Sequence, residues 1–430
     1  MHDKRFVARA TDILWCVVFT VFLFQNPLKA SIHLFTYVDD AAAVVAGLYL
    51  LWVLIRERRL GKGYWLMIGV MVPMVLLGVV GNVTSGVSRT PVDICSGILY
   101  LFKVYVCFIG AALFFERHPH DTRLVDLLAG EVRIISTLAF PCLLLSQIAD
   151  IGMTRGVRYG ISCFKFLYTN PGTMSQYCII FLLILTVELQ HRPLTFWRGF
   201  FLLMLVGVWM ATCRSRAFVA VAVWLVLCFI SRKVTRRDSL QGKNLFRVFF
   251  RPQYIVLVAV LAVGIGWSQF ETYFGDEVVS ARSLLVQGGY AVMRDFFPLG
   301  SGFGTYGTGP AASHYSPLYY TYGLNTFWAL DEGGSELTDC YWPAVGAELG
   351  VIGMVLMGVL ILIFLWQMIR LARGRKFAVI AALTYAFYML ISSTATGIFS
   401  SYITADFIIV FVAVLSCQER SGLIGNDSSV

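Results

Sequence analysis

The stretch WPAVGAELGVIGMVLMGVLILIFLW, residues 342–366, decides the fold. It carries a single charged residue, Glu348, in an otherwise apolar run. A helix needs about 20 such residues to cross a bilayer, because each residue rises about 1.5 Å through a hydrocarbon core of about 30 Å. Working outward, comparable blocks lie at 13–24, 41–55, 65–80, 94–115, 134–148, 174–187, 200–211, 218–230, 255–267, 377–392 and 403–414. Several are shorter than a full span and must borrow neighbouring residues at their ends. Composition agrees, with 58% hydrophobic, 15% aromatic and only 14% charged residues, against about 25% charged in an ordinary soluble domain. The expectation is an all-α integral membrane protein of about twelve transmembrane helices, and a water-soluble fold is excluded.

Cations gather in every second connection, as the positive-inside rule requires. One set holds Lys4, Arg5 and Arg9; Arg56, Arg58, Arg59 and Lys62; Arg117, Arg123 and Arg133; Arg192 and Arg198. It continues through the basic run from Arg232 to Arg251 and ends with Arg370, Arg373, Arg375 and Lys376. This pattern predicts cytoplasmic N- and C-termini. Arg155, Arg158 and Lys165 break the alternation, and the sequence supplies no reason. The expected organisation is a membrane unit over 1–268, a large outer loop over 269–341, a second membrane unit over 342–417 and a short polar cytoplasmic tail, 418–430. The net charge of +9 (34 minus 25) is spread over separate turns, so no nucleic-acid partner is implied.

The first apolar block is followed by Gln25-Asn26-Pro27 rather than a small-residue cleavage site, so it reads as a spanning helix and not as a cleaved signal. Of ten cysteines, eight (Cys16, Cys95, Cys107, Cys142, Cys178, Cys213, Cys228 and Cys417) fall in or beside apolar blocks, where thiols behave as small hydrophobes. With no CxxC and no Cys/His ligand spacing, neither a metal site nor a disulfide framework is expected.

Two places carry chemistry. In Thr212-Cys213-Arg214-Ser215-Arg216, two arginines flank a serine in a short turn on the outer side. Arginine at membrane depth costs several kcal/mol unless paired or hydrated. Either both side chains snorkel to outer lipid phosphates, or they form a fork of donors that holds a phosphate or pyrophosphate. The second place is the loop itself, which opens on Ser280-Ala281-Arg282-Ser283 and continues through Arg294 to Pro298-Leu299-Gly300-Ser301-Gly302-Phe303-Gly304-Thr305-Tyr306-Gly307. Closely spaced glycines let the backbone approach a ligand or adopt positive φ. Tyr315, Tyr319, Tyr320, Tyr322, Trp328 and Trp342 follow; their faces suit sugar rings or an interfacial belt.

These residues resemble the bacterial O-antigen ligase and polysaccharide polymerase family. The resemblance rests on Arg214-Ser215-Arg216-Ala217-Phe218 opening a helix, on the Ala-Arg-Ser element with the glycine run, and on Asp339-Cys340-Tyr341-Trp342 followed by Glu348-Leu349-Gly350-Val351-Ile352-Gly353 where the loop re-enters the membrane. It implies a GT-C-like, metal-independent and cofactor-free glycosyltransferase at the outer (periplasmic) face of the bacterial inner membrane. The implied donor is a polyprenyl-pyrophosphate-linked oligosaccharide, and a chain-length regulator protein is an implied partner. Arg214, Arg216 and Arg282 match the family's arginine positions and are expected to hold the leaving pyrophosphate. Arg294, Gly300, Gly302, Gly304, Tyr306, Trp342 and Glu348 are the further loop and glycan candidates.

At the position where ligases carry a histidine, this chain has Asp339. A carboxylate can take the acceptor's proton, and the departure favours polymerisation of repeat units over ligation. His314, the one histidine in the loop, is the rival base. Lys103 lies inside an apolar block, where a cation is either functional or paired with a carboxylate such as Asp93 or Asp406. Tyr168 and Gln176 are candidates for the acceptor cavity. A reading from a different class is a lipid-linked glycan flippase, which would more naturally show inverted repeats and helices broken at the midplane; no repeat is evident.

Overall fold

A computed structural model describes residues 2–29, 31–57, 60–87, 90–237, 280–334 and 336–417. It is 75% helical with almost no sheet, as an all-α membrane protein should be. Membrane-length helices are α1 (His2–Leu28), α2 (Val38–Glu57), α3 (Lys62–Ser85), α4 (Pro91–Arg117), α5 (Thr122–Ile148), α6 (Pro171–Glu188) and α8 (Ser215–Arg237), with the shorter α7 (Phe196–Met210) between the last two. Past the undescribed segment come α9 (Ala281–Asp295), the one-turn helices α10 (Gly309–Ser313) and α11 (Pro317–Thr321), then α12 (Tyr341–Leu371), α13 (Lys376–Ser393) and α14 (Tyr402–Ser416). Among the described residues nine helices are long and apolar enough to cross a membrane, and α7 and α14 are shorter apolar helices. The expected span at 255–267 lies outside the described residues.

Local chemistry sets where the helices begin. Thr90 caps α4 by accepting from the Asp93 N–H at 3.3 Å, and Asn170 caps α6 by accepting from the Thr173 N–H at 2.8 Å. In each case proline follows at the first helical position, where its missing N–H costs nothing. Ser280 and Ser283 bond each other's backbone N–H groups and so start α9. Apolar side chains such as Ile13, Leu48, Leu76 and Val355 point outward, 57–62% exposed; in a membrane this surface meets lipid tails.

α6, α4 and α13 are the most enclosed spans; α14 packs on α4 and α6, and α13 packs on α6. Lys103, midway along α4, pairs with Asp39 and, at 3.5 Å, with Asp40, not with Asp93 or Asp406. The reason is placement. Asp39 and Asp40 occupy the first turn of α2, which packs along α4, whereas Asp93 sits at the start of α4 itself and binds Thr90.

One element departs from the all-helical expectation. Thr154–Arg158 (β1) and Ile161–Phe164 (β2) form an antiparallel hairpin in the connection from α5 to α6. Tyr159 and Gly160, both at positive φ, make its two-residue turn, and Gly156, also at positive φ, sits at the bulge in β1.

Candidate active site

A cavity of about 720 Å³ lies where the hairpin, the starts of three helices and the end of the large loop meet. α6 presents Asn170, Gly172 and Thr173, α8 presents Arg214 and Arg216, and α9 presents Ser280, Ala281 and Arg282. Helix N-termini carry exposed N–H groups and about half a positive charge each. Converging them on one space favours an anion before any side chain is counted.

The side chains add to that field. Arg155, Arg158, Arg214, Arg216 and Arg282 all border the cavity, against the carboxylates Glu336 and Asp339. Arg216 is fixed at both ends of its fork, donating to the Thr396 hydroxyl at 3.0 Å and to the Gly172 carbonyl at 3.1 Å. A Cβ on Gly172 would stand 3.0 Å from Arg216 Nη2, so the absence of a side chain there lets the arginine lie against the start of α6. Arg282 Nη2 bonds Asp339 Oδ2 at 3.0 Å, with both side chains partly buried. Arg214, Arg216, Arg282 and Asp339, far apart in sequence, are thus brought to one cavity.

The lining also holds neutral hydrogen-bonding residues. Tyr100, Gln176, Ser400, Ser401 and Tyr402 are among them, and Ser401 donates to Gln176 at 3.2 Å. Lys103 closes the inner end, its charge already answered by Asp39. Tyr168 is not part of the wall: it is buried and stacks on Tyr177 with ring centroids 4.1 Å apart. Cys340, next to Asp339, has its thiol pushed up to about 12 by burial, which makes it a poor nucleophile.

Other sequence candidates fall elsewhere. His314 stands outside the cavity, its Nε2 2.8 Å from Asp93 Oδ1 and its side chain 66% exposed. It directly follows α10, which packs on α4. Arg294 is exposed and bonds only its neighbour Asp295 at 2.9 Å among its hydrogen bonds to described residues. Trp342 donates to Ser393 at 3.2 Å and ties α12 to α13.

The glycine run is a packing device. Gly300, Gly302 and Gly304 have φ of 78°, 91° and 70°. A Cβ on Gly302 would lie 2.3 Å from the Asn82 nitrogen, and one on Gly300 would lie 2.4 Å from the Gly350 nitrogen. The loop backbone is thereby pressed onto α3 and onto the break at Gly350 in α12. Asn82 reads that backbone in both directions, donating to the Phe303 carbonyl at 2.9 Å and accepting from its N–H at 2.8 Å. Glu348, fully buried, accepts from the Thr305 and Tyr306 N–H groups and from the Thr308 hydroxyl at 2.7–3.2 Å. Tyr306 is buried and donates to the Leu285 carbonyl at 2.8 Å. These residues hold the loop so that Arg282 and Asp339 face the cavity.

A prediction follows for Gly302→Ala. Its backbone conformation alone costs a residue with a Cβ about 1–3 kcal/mol, and the Asn82 clash adds to this. The expected result is a clear fall in the thermal midpoint of the detergent-solubilised protein; an unchanged midpoint would mean that the loop is not docked on α3.

Arg155 and Arg158 are the functional candidates that sequence reading missed. Their signal was present as cations on the wrong side of the charge alternation, but only the hairpin brings them to Arg214 and Arg216. Compared with known proteins, the chain matches no family model and no curated protein.

Proposed function

We propose that this chain is a glycosyltransferase that polymerises oligosaccharide repeat units carried on a polyprenyl pyrophosphate, working at the outer face of a bacterial inner membrane. The observation that carries this reading is the convergence of Arg214, Arg216 and Arg282 with three helix N-termini on one cavity that also holds Asp339. A diphosphate diester is a dianion, and it fits the cationic wall. Sugar hydroxyls fit the neutral residues Gln176, Ser401 and Tyr402.

In the proposed reaction an acceptor hydroxyl attacks the anomeric carbon of the donor sugar. The new bond is acceptor oxygen to anomeric carbon, and the bond that breaks joins that carbon to the diphosphate oxygen. The leaving diphosphate gains one negative charge, which fixed guanidinium groups stabilise as it develops. The acceptor's proton passes to Asp339. Arg282 now occupies Asp339; an incoming phosphate competes for that guanidinium and frees the carboxylate to accept the proton.

The test is the fate of lipid-linked glycan in cells lacking the protein. Single repeat units on the carrier at the outer leaflet, with no long chains, are the expected result. Long chains stranded on the carrier would instead make the protein a ligase. Single units trapped at the cytoplasmic leaflet would make it a flippase.

A further inference from the structure

The turn between α7 and α8 and the end of the hairpin bring two cysteines together. The Phe164 N–H donates to the Ala211 carbonyl at 2.8 Å, which fastens the end of β2 to the start of that turn. Cys163 directly precedes Phe164, and Cys213 lies two residues beyond Ala211. Both are buried, 3% and 2% exposed, and the Cys213 thiol points back at the Ala211 carbonyl, 3.6 Å away, the same carbonyl that holds the Phe164 N–H. Cys213 also has φ of 52°, a left-handed conformation that a residue with a Cβ adopts only when its surroundings enforce it. Cys163 borders the cavity, and Arg214 follows Cys213 directly.

We propose that Cys163 and Cys213 are a modification site, oxidised to an intramolecular disulfide when the cavity faces an oxidising compartment. The bond would staple the hairpin carrying Arg155 and Arg158 to the turn carrying Arg214 and Arg216. The proposal rests on the outer-face reading given above, since thiols on the cytoplasmic side stay reduced. It goes beyond the expectation drawn from cysteine spacing; in the structure both thiols are free.

The oxidant is the disulfide of a thiol–disulfide oxidase. Before folding encloses it, Cys163 loses its proton and attacks one sulfur of that disulfide, expelling the first oxidant thiolate and forming a mixed disulfide. The Cys213 thiol then loses its proton and attacks the Cys163 sulfur, expelling the second. Two electrons pass to the oxidant, which ends as a dithiol. Burial pushes the Cys213 thiol up to about 11, which leaves little thiolate for the second step. There the partner sulfur is already held beside it, and proximity offsets the small thiolate fraction.

The experiment quenches cells in acid, dissolves them in denaturant with N-ethylmaleimide so that every free thiol is blocked, then purifies the full chain without reductant and digests it with trypsin. Cleavage after Arg158, Lys165, Arg198 and Arg214 yields peptides 159–165 and 199–214, each with one of the two cysteines. The expected result is these two peptides linked, separating on reduction, and two fewer maleimide adducts than the ten cysteines allow. In Cys213→Ser the link is lost and Cys163 carries an adduct. The same digest is run on unblocked purified protein treated with oxidised glutathione. Adducts on both cysteines in cells, but a link in the treated protein, would show that the pairing is real and the outer-face reading wrong. Adducts in cells and no link after treatment would overturn the proposal and leave the outer-face reading untouched.

Discussion

Arg282→Ala is expected to abolish polymer in cells while leaving the protein at its normal level, and Arg214→Ala and Arg216→Ala to do the same. Removing one preorganised donor aimed at developing charge costs about 10²–10³-fold in turnover, enough to erase a ladder of long chains on a gel. The three substitutions are not equivalent tests. Arg216 also bridges the Gly172 carbonyl and Thr396, so its loss disturbs the start of α6 as well as the field. Arg282 projects from α9 and bonds Asp339 at the cavity, so its loss acts on the site itself. Lysine at 216 should not rescue, because a point charge cannot span the two acceptors that a planar fork reaches. Kinetics separate the roles. A group that stabilises the charge gained by the leaving diphosphate lowers kcat more than it raises KM, whereas one that only binds the diester raises KM. Normal polymer from all three alanine variants, with normal protein levels, would remove the pyrophosphate site and the function built on it.

How far the sequence led can be judged residue by residue. The membrane fold was legible because it needs only length and apolarity, and 342–366 supplies both without any knowledge of packing. Arg214 and Arg216 were legible for a related reason: a short turn between apolar blocks leaves two cations no inexpensive place to go. The hairpin was not legible, because Arg155 and Arg158 reach the cavity only through a fold-back whose glycine turns are weak local signals. The partner of Lys103 was ambiguous between several carboxylates, and the packing of α2 on α4 chose Asp39. The glycine run was compatible with both a ligand loop and tight packing. Asn82 and the broken helix at Gly350, both remote in sequence, decide for packing. In each failure the missing information was tertiary: which element lies beside which.

Asp339→Asn is expected to lower turnover by about 10²–10⁴-fold, the usual contribution of a positioned general base, while His314→Ala stays within a few-fold of the unaltered protein. The geometry separates the two. Asp339 borders the cavity and holds Arg282, whereas His314 is exposed, faces Asp93 and does not border the cavity. Asparagine keeps the shape of the side chain and an oxygen that can accept from Arg282, but it cannot take a proton. If Asp339 only anchors Arg282, this substitution weakens a charge pair that is partly open to solvent, an effect of about 0–1 kcal/mol, and the rate falls by no more than several-fold. If Asp339 is the base, kcat collapses while donor binding holds or tightens, because the guanidinium no longer faces a competing carboxylate. A large loss in kcat with KM unchanged or lowered therefore assigns the proton to Asp339. A large loss in His314→Ala with a mild one in Asp339→Asn would move the base to the His314–Asp93 pair, and would require the acceptor to approach from the side of α10 rather than through the arginine-lined cavity.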